Sequence, residues 1–454
     1  MSDRSARVRP DGASPQDDER RRLPTLTRRA ALSTSLAVGG ALATGVRPSV
    51  ALGAPEERDI RLHRFDSAAT FARGRAQGVR VVRGGLELAS PGKTRTYVDP
   101  FAPVPTPTTW EVGTWTSPTL RPGFDLTQLV ASWNATTPGG TWIEVGVRGT
   151  APEGERTDWF VLGRWCAEHP EQGGAIHRTS VDGQQTDLAT VWTDTLATVD
   201  DHALRSVQLR VQLMRRPGTD GTPRVTLLTA MASALPSASS VPVSQPGPAR
   251  GVVLPVPPLS QEVHAGHYPE WDSGGEAWCS PTSVSMIADF WRRGPSAADT
   301  AWVTVPPDPQ VDHAARATYD HAYDGCGNWP FNPAYAATLG LTGFVTRLRS
   351  LREAETLIAA GVPLVLSVSF DADELDGAGY STSGHLLVLC GFDAQGDPVC
   401  NDPASHLVPD NGQVRVTYRR DQLENVWLPH SGGLVYVLAP ADRPLPAAPD
   451  QPNW

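Results

Sequence analysis

At 454 residues the chain is too long for one ordinary core, which leads to an expectation of two domains plus a leader. Acidic residues outnumber basic ones, 49 to 39, for a formal net charge of -10. Residues 1–53 hold nine arginines against five acids, so the remainder carries -14, which argues against nucleic acid or an anionic membrane as a partner.

Within residues 1–53, LPTLTRRAALSTSLAVGGALA joins Thr27-Arg28-Arg29 to an apolar, alanine-rich run. That run is too short and too weakly hydrophobic to span a bilayer stably, and it reads as a twin-arginine export signal followed by a flexible leader. Cleavage is expected after Ala43 or nearer Gly53. No later segment reaches about 18 uninterrupted apolar residues, so the mature chain is expected outside the cytoplasm with no membrane partner once the signal is removed. Five cysteines, an odd number in an exported chain, leave at least one thiol free.

Residues 54–235 show short alternating strands broken by Gly, Pro, Asp and Thr clusters, the pattern of an all-β, sandwich-like domain. In TWIEVGVRG, Ile143, Val145 and Val147 point one way and Glu144 and Arg148 the other. Seven tryptophans lie here. Trp133 shares a face with Leu129 and Ala131 and reads as core, whereas Trp142 shares the polar face with Glu144 and is expected either to pack at an interface or to offer an exposed platform to a sugar. Residues 236–256, rich in Pro and Ser, read as an interdomain linker between two halves that fold separately.

Residues 257–440 change to mixed α and β. GGEAWCSPTSVSMIADFWRR, 274–293, predicts a helix with Val284, Ile287, Ala288 and Trp291 on one buried face and Cys279 at its N-terminus. Asp312–Tyr323 and Leu351–Ala360 predict two more helices. Strands are expected at 363–370, 385–391, 398–402, 414–418 and 433–438, and the class is α+β. GCGNWPFN, 325–332, reads as a packed loop or a groove wall, and residues 441–454 as a flexible tail. A hairpin turning at Gln395 is expected to set Cys390 across from Cys400, near enough for a disulfide, although two free apolar thiols fit the same strands.

The chemistry concentrates on three residue types. A cysteine at a helix N-terminus meets unpaired N–H groups and the positive end of the helix dipole, which favour a nucleophilic thiolate. Such a thiolate needs a base, and His385 is delivered by GYSTSG to the first position of an apolar strand. Its far nitrogen needs an acceptor. Asp402 lies seventeen residues on, at the far end of the returning strand, where the fold-back brings it level with His385. Gln261 in PPLSQEV is the candidate side-chain amide for an oxyanion, beside the backbone N–H of Cys279.

PPLSQ, GGEAWCSPTSVSM, SGHLLVLCGF and NDPAS together resemble the papain-like cysteine peptidases of family 39, the bacteriocin-processing type. The exported actinobacterial branch, with a β-rich domain before the peptidase domain, is more similar still. The resemblance implies a papain-like domain at 257–440 in which Cys279 is the nucleophile, His385 the general base and acid, Asp402 its orienting partner and Gln261 the oxyanion amide. The eighteen residues from Gln261 to Cys279 exceed the short spacer of papain-like enzymes. The resemblance does not extend to the transporter modules of the leader-processing members, so their double-glycine specificity is not carried over.

The expected activity is hydrolysis of peptide or related amide bonds through a thioester, with no cofactor, on a peptide or protein that includes cell-wall peptide among its options. Acyl transfer by the same residues differs only in the acceptor. The rival reading is a surface or glycan-binding protein with an idle papain-like domain. His264 and His267, with Asp272 and Glu276 nearby, have the composition of a metal cluster, but no helix is signalled to align them and no metal is expected.

Overall fold

The computed structural model describes residues 57–454; the twin-arginine segment and both candidate cleavage positions lie outside the described residues. The fold is α+β, with an all-β sandwich first and a helix-on-sheet domain second. One sandwich sheet runs, edge to edge, through strands 189–192, 195–198, 128–136, 224–234, 85–88 and 79–82, with 59–65 also on 224–234; the other runs through 75–77, 107–116, 206–215, 141–150 and 160–165, with 93–98 also on 107–116. Alternation puts Ile143, Val145, Val147, Val207, Leu209, Val211 and Leu213 between the sheets, all buried, as period-2 patterning requires.

Trp133 is core, as expected. Trp142 is not a platform. It does point away from the space between the sheets, but Tyr97, Trp110, Cys166, Ile176 and Met214 cover it completely in a second small cluster. Burying a large aromatic face removes more apolar area from water than any other side chain of that strand offers, and the neighbouring Glu144 is itself buried by Arg95 and Arg164, which form ion pairs with it.

The second domain is built on a six-stranded antiparallel sheet in the order 341–347, 434–440, 364–370, 382–392, 398–401, 415–417. The helix at Cys279–Phe290 crosses it. Cys279 is its first residue and Trp278 holds the cap position, so the cysteine sits one place inside the predicted cap. Every residue from Ser280 to Ala288 is buried, not one face only, because helices Pro309–Thr318 and Phe331–Thr338 cover the side turned away from the sheet. Its serines make this burial tolerable: Ser283 donates to the Leu386 carbonyl at 3.1 Å and Ser285 to the Pro281 carbonyl at 2.9 Å. Helices Phe331–Thr338 and Arg420–Ser431 and strand 341–347 were absent from the sequence-based expectation.

The two halves do not have separate cores. Strand 341–347 is an edge of its sheet, and its free backbone groups are taken by sandwich side chains: Asn134 Nδ2 donates to the Gly343 carbonyl at 2.7 Å, Gly343 N–H donates to Asn134 Oδ1 at 3.2 Å, and Val345 N–H donates to Ser132 Oγ at 2.8 Å. Phe331 meets Trp133 and Trp165 with ring centroids 6.0 and 5.4 Å apart, which places GCGNWPFN as a packed joint between the halves. One apolar cluster runs through both. Asn134→Ala is therefore expected to leave buried backbone groups without partners, lowering stability by about 3 kcal/mol. Denaturant unfolding followed by tryptophan fluorescence and by far-UV circular dichroism is expected to give one coincident transition; two separated transitions would mean that the shared core does not couple the halves.

Residues 236–256 contain no helix or strand, yet they are held: Ser244 N–H donates to Glu424 at 2.7 Å and Gly247 N–H to Glu355 at 2.6 Å. The tail is a correction to the expectation of flexibility. Pro452 accepts from the Leu62 N–H at 2.8 Å, and buried Asn453 donates to the Arg347 carbonyl at 2.8 Å, so the end of the chain fastens the first strand to the second domain.

The hairpin does not set Cys390 opposite Cys400. Leu389 pairs with Cys400 and Gly391 with Val399, so Cys390 is the extra residue of a bulge. The bulge serves the linker: Leu254 N–H donates to the Cys390 carbonyl at 2.9 Å and Phe392 N–H to the Val252 carbonyl at 2.8 Å. Gly391 is needed there, since a Cβ would come within 2.1 Å of Val252 O. All five cysteines are free thiols. Burial pushes the Cys390 thiol up to about 12 and Cys400 well above its usual range, so neither thiolate is available in the native state. The expected result of alkylation followed by intact mass is that both resist labelling when native and take it on unfolding without reductant. Labelling that requires reductant would establish a bridge.

Candidate active site

Asp402 lies just past strand 398–401, on the loop NDPAS, and is completely buried. Such a carboxylate persists only if its lone pairs are filled. Oδ1 accepts from His385 Nε2 at 2.8 Å and from the Ala404 N–H at 3.0 Å, while Oδ2 accepts from Tyr418 Oη at 2.6 Å and Tyr380 Oη at 2.9 Å. Burial opposes the anion, but the positive His385 and the hydrogen bonds from His385, Tyr418 and Tyr380 hold Asp402 below the ordinary carboxylate range.

His385 is the fourth residue of the long strand 382–392. Its side chain is 4% exposed. Nε2 is committed to Asp402, which leaves Nδ1 as the other ring nitrogen, and Cys279 lies near enough to act on the imidazole electrostatically. Burial works against the imidazolium; the Asp402 charge and hydrogen bond, with the Cys279 thiol, outweigh it and raise His385 to about 10. Of the five cysteines only Cys279 is not buried.

Gln261 is brought to the same place by backbone pairing. Its N–H donates to the Pro403 carbonyl at 2.9 Å, and Ser260 Oγ donates to the same carbonyl at 3.3 Å, so PPLSQ is stitched to NDPAS. The Gln261 amide nitrogen donates to the Glu276 carbonyl, three residues before Cys279. A primary amide has a second N–H, and Gln261 Oε1 is buried without a partner. The long spacer from Gln261 to Cys279 is taken up by two short 3-10 turns, Glu262–His264 and Gly275–Ala277.

Asn401, one residue from Asp402, points the other way and donates to the carbonyls of Val256 and Pro257. Tyr380 and Tyr418 were missed as site residues. Tyr380 lies within GYSTSG, five residues before His385, and Tyr418 directly follows strand 415–417, which pairs with 398–401; a buried aspartate with one histidine partner needs further donors, and these were the hydroxyls within reach.

A thiol at a helix start, an imidazole near it and a buried carboxylate behind the imidazole are the side-chain types that papain-like cysteine chemistry requires. Two family profiles match the chain: the Peptidase C39 N-terminal domain over residues 61–233, and the Peptidase C39-like family over residues 253–434. Together they account for most of its length, and the protein belongs to the peptidase C39-like family, in the actinobacterial arrangement with an N-terminal domain. The family is of peptidase type. No curated relative matches the chain. Among solved structures, similarity is found to a carbohydrate-binding module of the β-sandwich superfamily, at 11% identity and TM-score 0.17 over 39% of this chain, which spans 57% of that one. A second is the kappa-carrageenase from Pseudoalteromonas carrageenovora in complex with an oligotetrasaccharide of kappa-carrageenan, at 10% identity and TM-score 0.20 over 42% of this chain and 100% of that one. No helix among the described residues is long and apolar enough to cross a membrane.

Proposed function

We propose that the protein is an exported cysteine peptidase that hydrolyses peptide or related amide bonds through a thioester. The Cys279 thiolate attacks the carbonyl carbon, and the resulting oxyanion is stabilised by the Cys279 backbone N–H and the remaining N–H of Gln261. His385 gives its proton to the departing amine, leaving the acyl group on sulfur. It then takes a proton from water, whose oxygen attacks the thioester and frees the thiol. Asp402 holds the ring by Nε2 so that Nδ1 stays on the sulfur, and Tyr380 and Tyr418 hold Asp402.

The observation that carries this reading is the His385–Asp402 bond at 2.8 Å, with Cys279 near enough to the same ring to help raise its pKa. Export rests on Thr27-Arg28-Arg29 and the apolar run after it. Cell-wall peptide is an option for the substrate, in keeping with an extracytoplasmic site, and acyl transfer to an amine in place of water follows from the same thioester. The glycan-binding reading loses its platform with the burial of Trp142.

A thiol-directed activity probe on the purified mature protein tests the proposal. Labelling at Cys279 that disappears in Cys279→Ala supports it. Labelling that persists in the variant moves the nucleophile elsewhere, and an unreactive native Cys279 favours the idle scaffold.

A further inference from the structure

Three donor atoms converge in the segment between Gln261 and Cys279. His264 Nδ1 and His267 Nδ1 stand 3.3 Å apart. Both face Asp312, His267 at 2.9 Å from Oδ1 and His264 at 3.2 Å from Oδ2. The imidazoles come from the turn at Glu262–His264 and the residues after it, and Asp312 from the first turn of helix Pro309–Thr318. All three side chains are buried, His264 and Asp312 completely.

Hydrogen bonds alone leave this triangle in conflict. If both Nδ1 atoms carry protons, two N–H groups are pressed together; if either is bare, its lone pair faces a carboxylate oxygen. The His264 contact is also out of line, and Asp312 Oδ2 is left buried with no hydrogen-bond partner. A cation at the centre removes the conflict, because two imidazole lone pairs and a carboxylate then point at one charge.

The dimensions agree with that solution. Donors 2.0–2.1 Å from a tetrahedral ion stand about 3.3 Å apart, against the observed 2.9 to 3.3 Å. Two nitrogen donors select a first-row transition ion over calcium or magnesium, which prefer oxygen. A second cluster, His169, His177 and His321, also brings its donors within 4.8 Å of one another. Arg178 and Arg316 act on it electrostatically, and their charges oppose a cation.

We propose that His264, His267 and Asp312 form a structural site for a divalent transition-metal ion, zinc foremost. The ion fastens the Gln261–Trp278 segment to helix Pro309–Thr318. The segment is already folded tightly on this point: the His264 and Trp278 rings lie 6.1 Å apart, and a Cβ on Gly275 would come within 2.2 Å of the His264 carbonyl carbon. The site therefore supports the geometry of Gln261 and Trp278 whether or not Cys279 performs hydrolysis.

The test uses the mature chain carrying Cys279→Ser, which removes the one partly exposed thiol as an accidental ligand. After dialysis against a weak chelator, elemental analysis is expected to find about one zinc-class ion per chain. His267→Gln and Asp312→Asn are each expected to lower that by 10-fold or more, and His177→Gln to leave it unchanged. Because the buried variants risk misfolding, the same Cys279→Ser chain is also refolded from denaturant with zinc or with chelator. Retention of one ion and a Tm several degrees higher with zinc are expected. Cobalt in place of zinc is expected to give visible bands without the near-ultraviolet charge-transfer absorption of a thiolate ligand. No retained ion and equal Tm values after the two refoldings would overturn the proposal, as would an ion lost in His177→Gln and kept in Asp312→Asn.

Discussion

Alanine at Cys279 is expected to reduce hydrolysis to background, and alanine at His385 to do the same. The thiol is the only one of five that is not buried, and it lies near an imidazole that is committed through Nε2 to a carboxylate. Removing either member takes away the covalent step or the proton transfer that drives it, a loss on the order of 10^4 or more in kcat. The two losses are not additive, since the pair acts as a unit; the double variant is expected to be no worse than either single one. The measurement is kcat on a peptide ester or amide, normalised to correctly folded protein by circular dichroism. Residual turnover in Cys279→Ala above about a hundredth of the native rate would remove the cysteine from the mechanism.

Asp402→Asn is expected to leave weak activity, lower by on the order of 10^2 to 10^4, and to shift its pH dependence. The Asp402 charge is the largest of the influences that raise His385 to about 10. The imidazolium persists in the native protein until the pH approaches that value, so the alkaline limb of activity lies high. Without the charge, burial favours the neutral ring and the limb moves to lower pH. Stability follows the same signs. His385 has a higher pKa folded than unfolded, so its contribution is complete below 6.5 and fades as pH rises through about 10. Asp402 is depressed, so its contribution is present above the ordinary carboxylate range and is lost as pH falls through its native value. Tyr418→Phe removes a 2.6 Å bond to the buried anion and is expected to cost about 2 kcal/mol. An alkaline limb unmoved in Asp402→Asn would separate His385 from the titration that limits activity.

Asn401 is the control for register. Its side chain binds the Val256 and Pro257 carbonyls and Met286, on the face opposite His385. Asn401→Ala is expected to lower stability while the pH profile of the folded fraction keeps its shape. In a strand, neighbouring residues point to opposite faces, which is why one position separates a structural amide from the orienting carboxylate.

Much of the site was legible in the sequence because its parts obey local rules. Cys279 is marked by the helix that begins on it, and His385 by the glycine-bounded entry to an apolar strand. Asp402 follows from hairpin arithmetic: two antiparallel strands return the chain to its starting level, and a one-residue bulge at Cys390 shifts the intervening pairs without moving the loop end out of reach of His385. The sandwich is likewise written in period-2 alternation, as in Ile143, Val145 and Val147.

The tertiary structure decided what depends on partners far away in the chain. Trp142 alternates as a polar-face residue and is nonetheless buried, because Tyr97, Trp110 and residues 166–176 fold over that face. Cys390 and Cys400 are symmetric about Gln395, but the bulge is set by the linker residues 252–254 that pair with it, which no local pattern records. Strand 341–347 becomes a stable edge only because Ser132 and Asn134, about two hundred residues earlier, supply its hydrogen bonds. His264 and His267 were read with Asp272 and Glu276, their sequence neighbours; the carboxylate that meets them is Asp312, on a different helix. Periodicity reports which face of an element is turned inward. What waits on that inward side is set by the packing of the whole chain, and that is where the Tyr380 and Tyr418 hydroxyls meet Asp402 and where the buried His264–His267–Asp312 cluster is assembled.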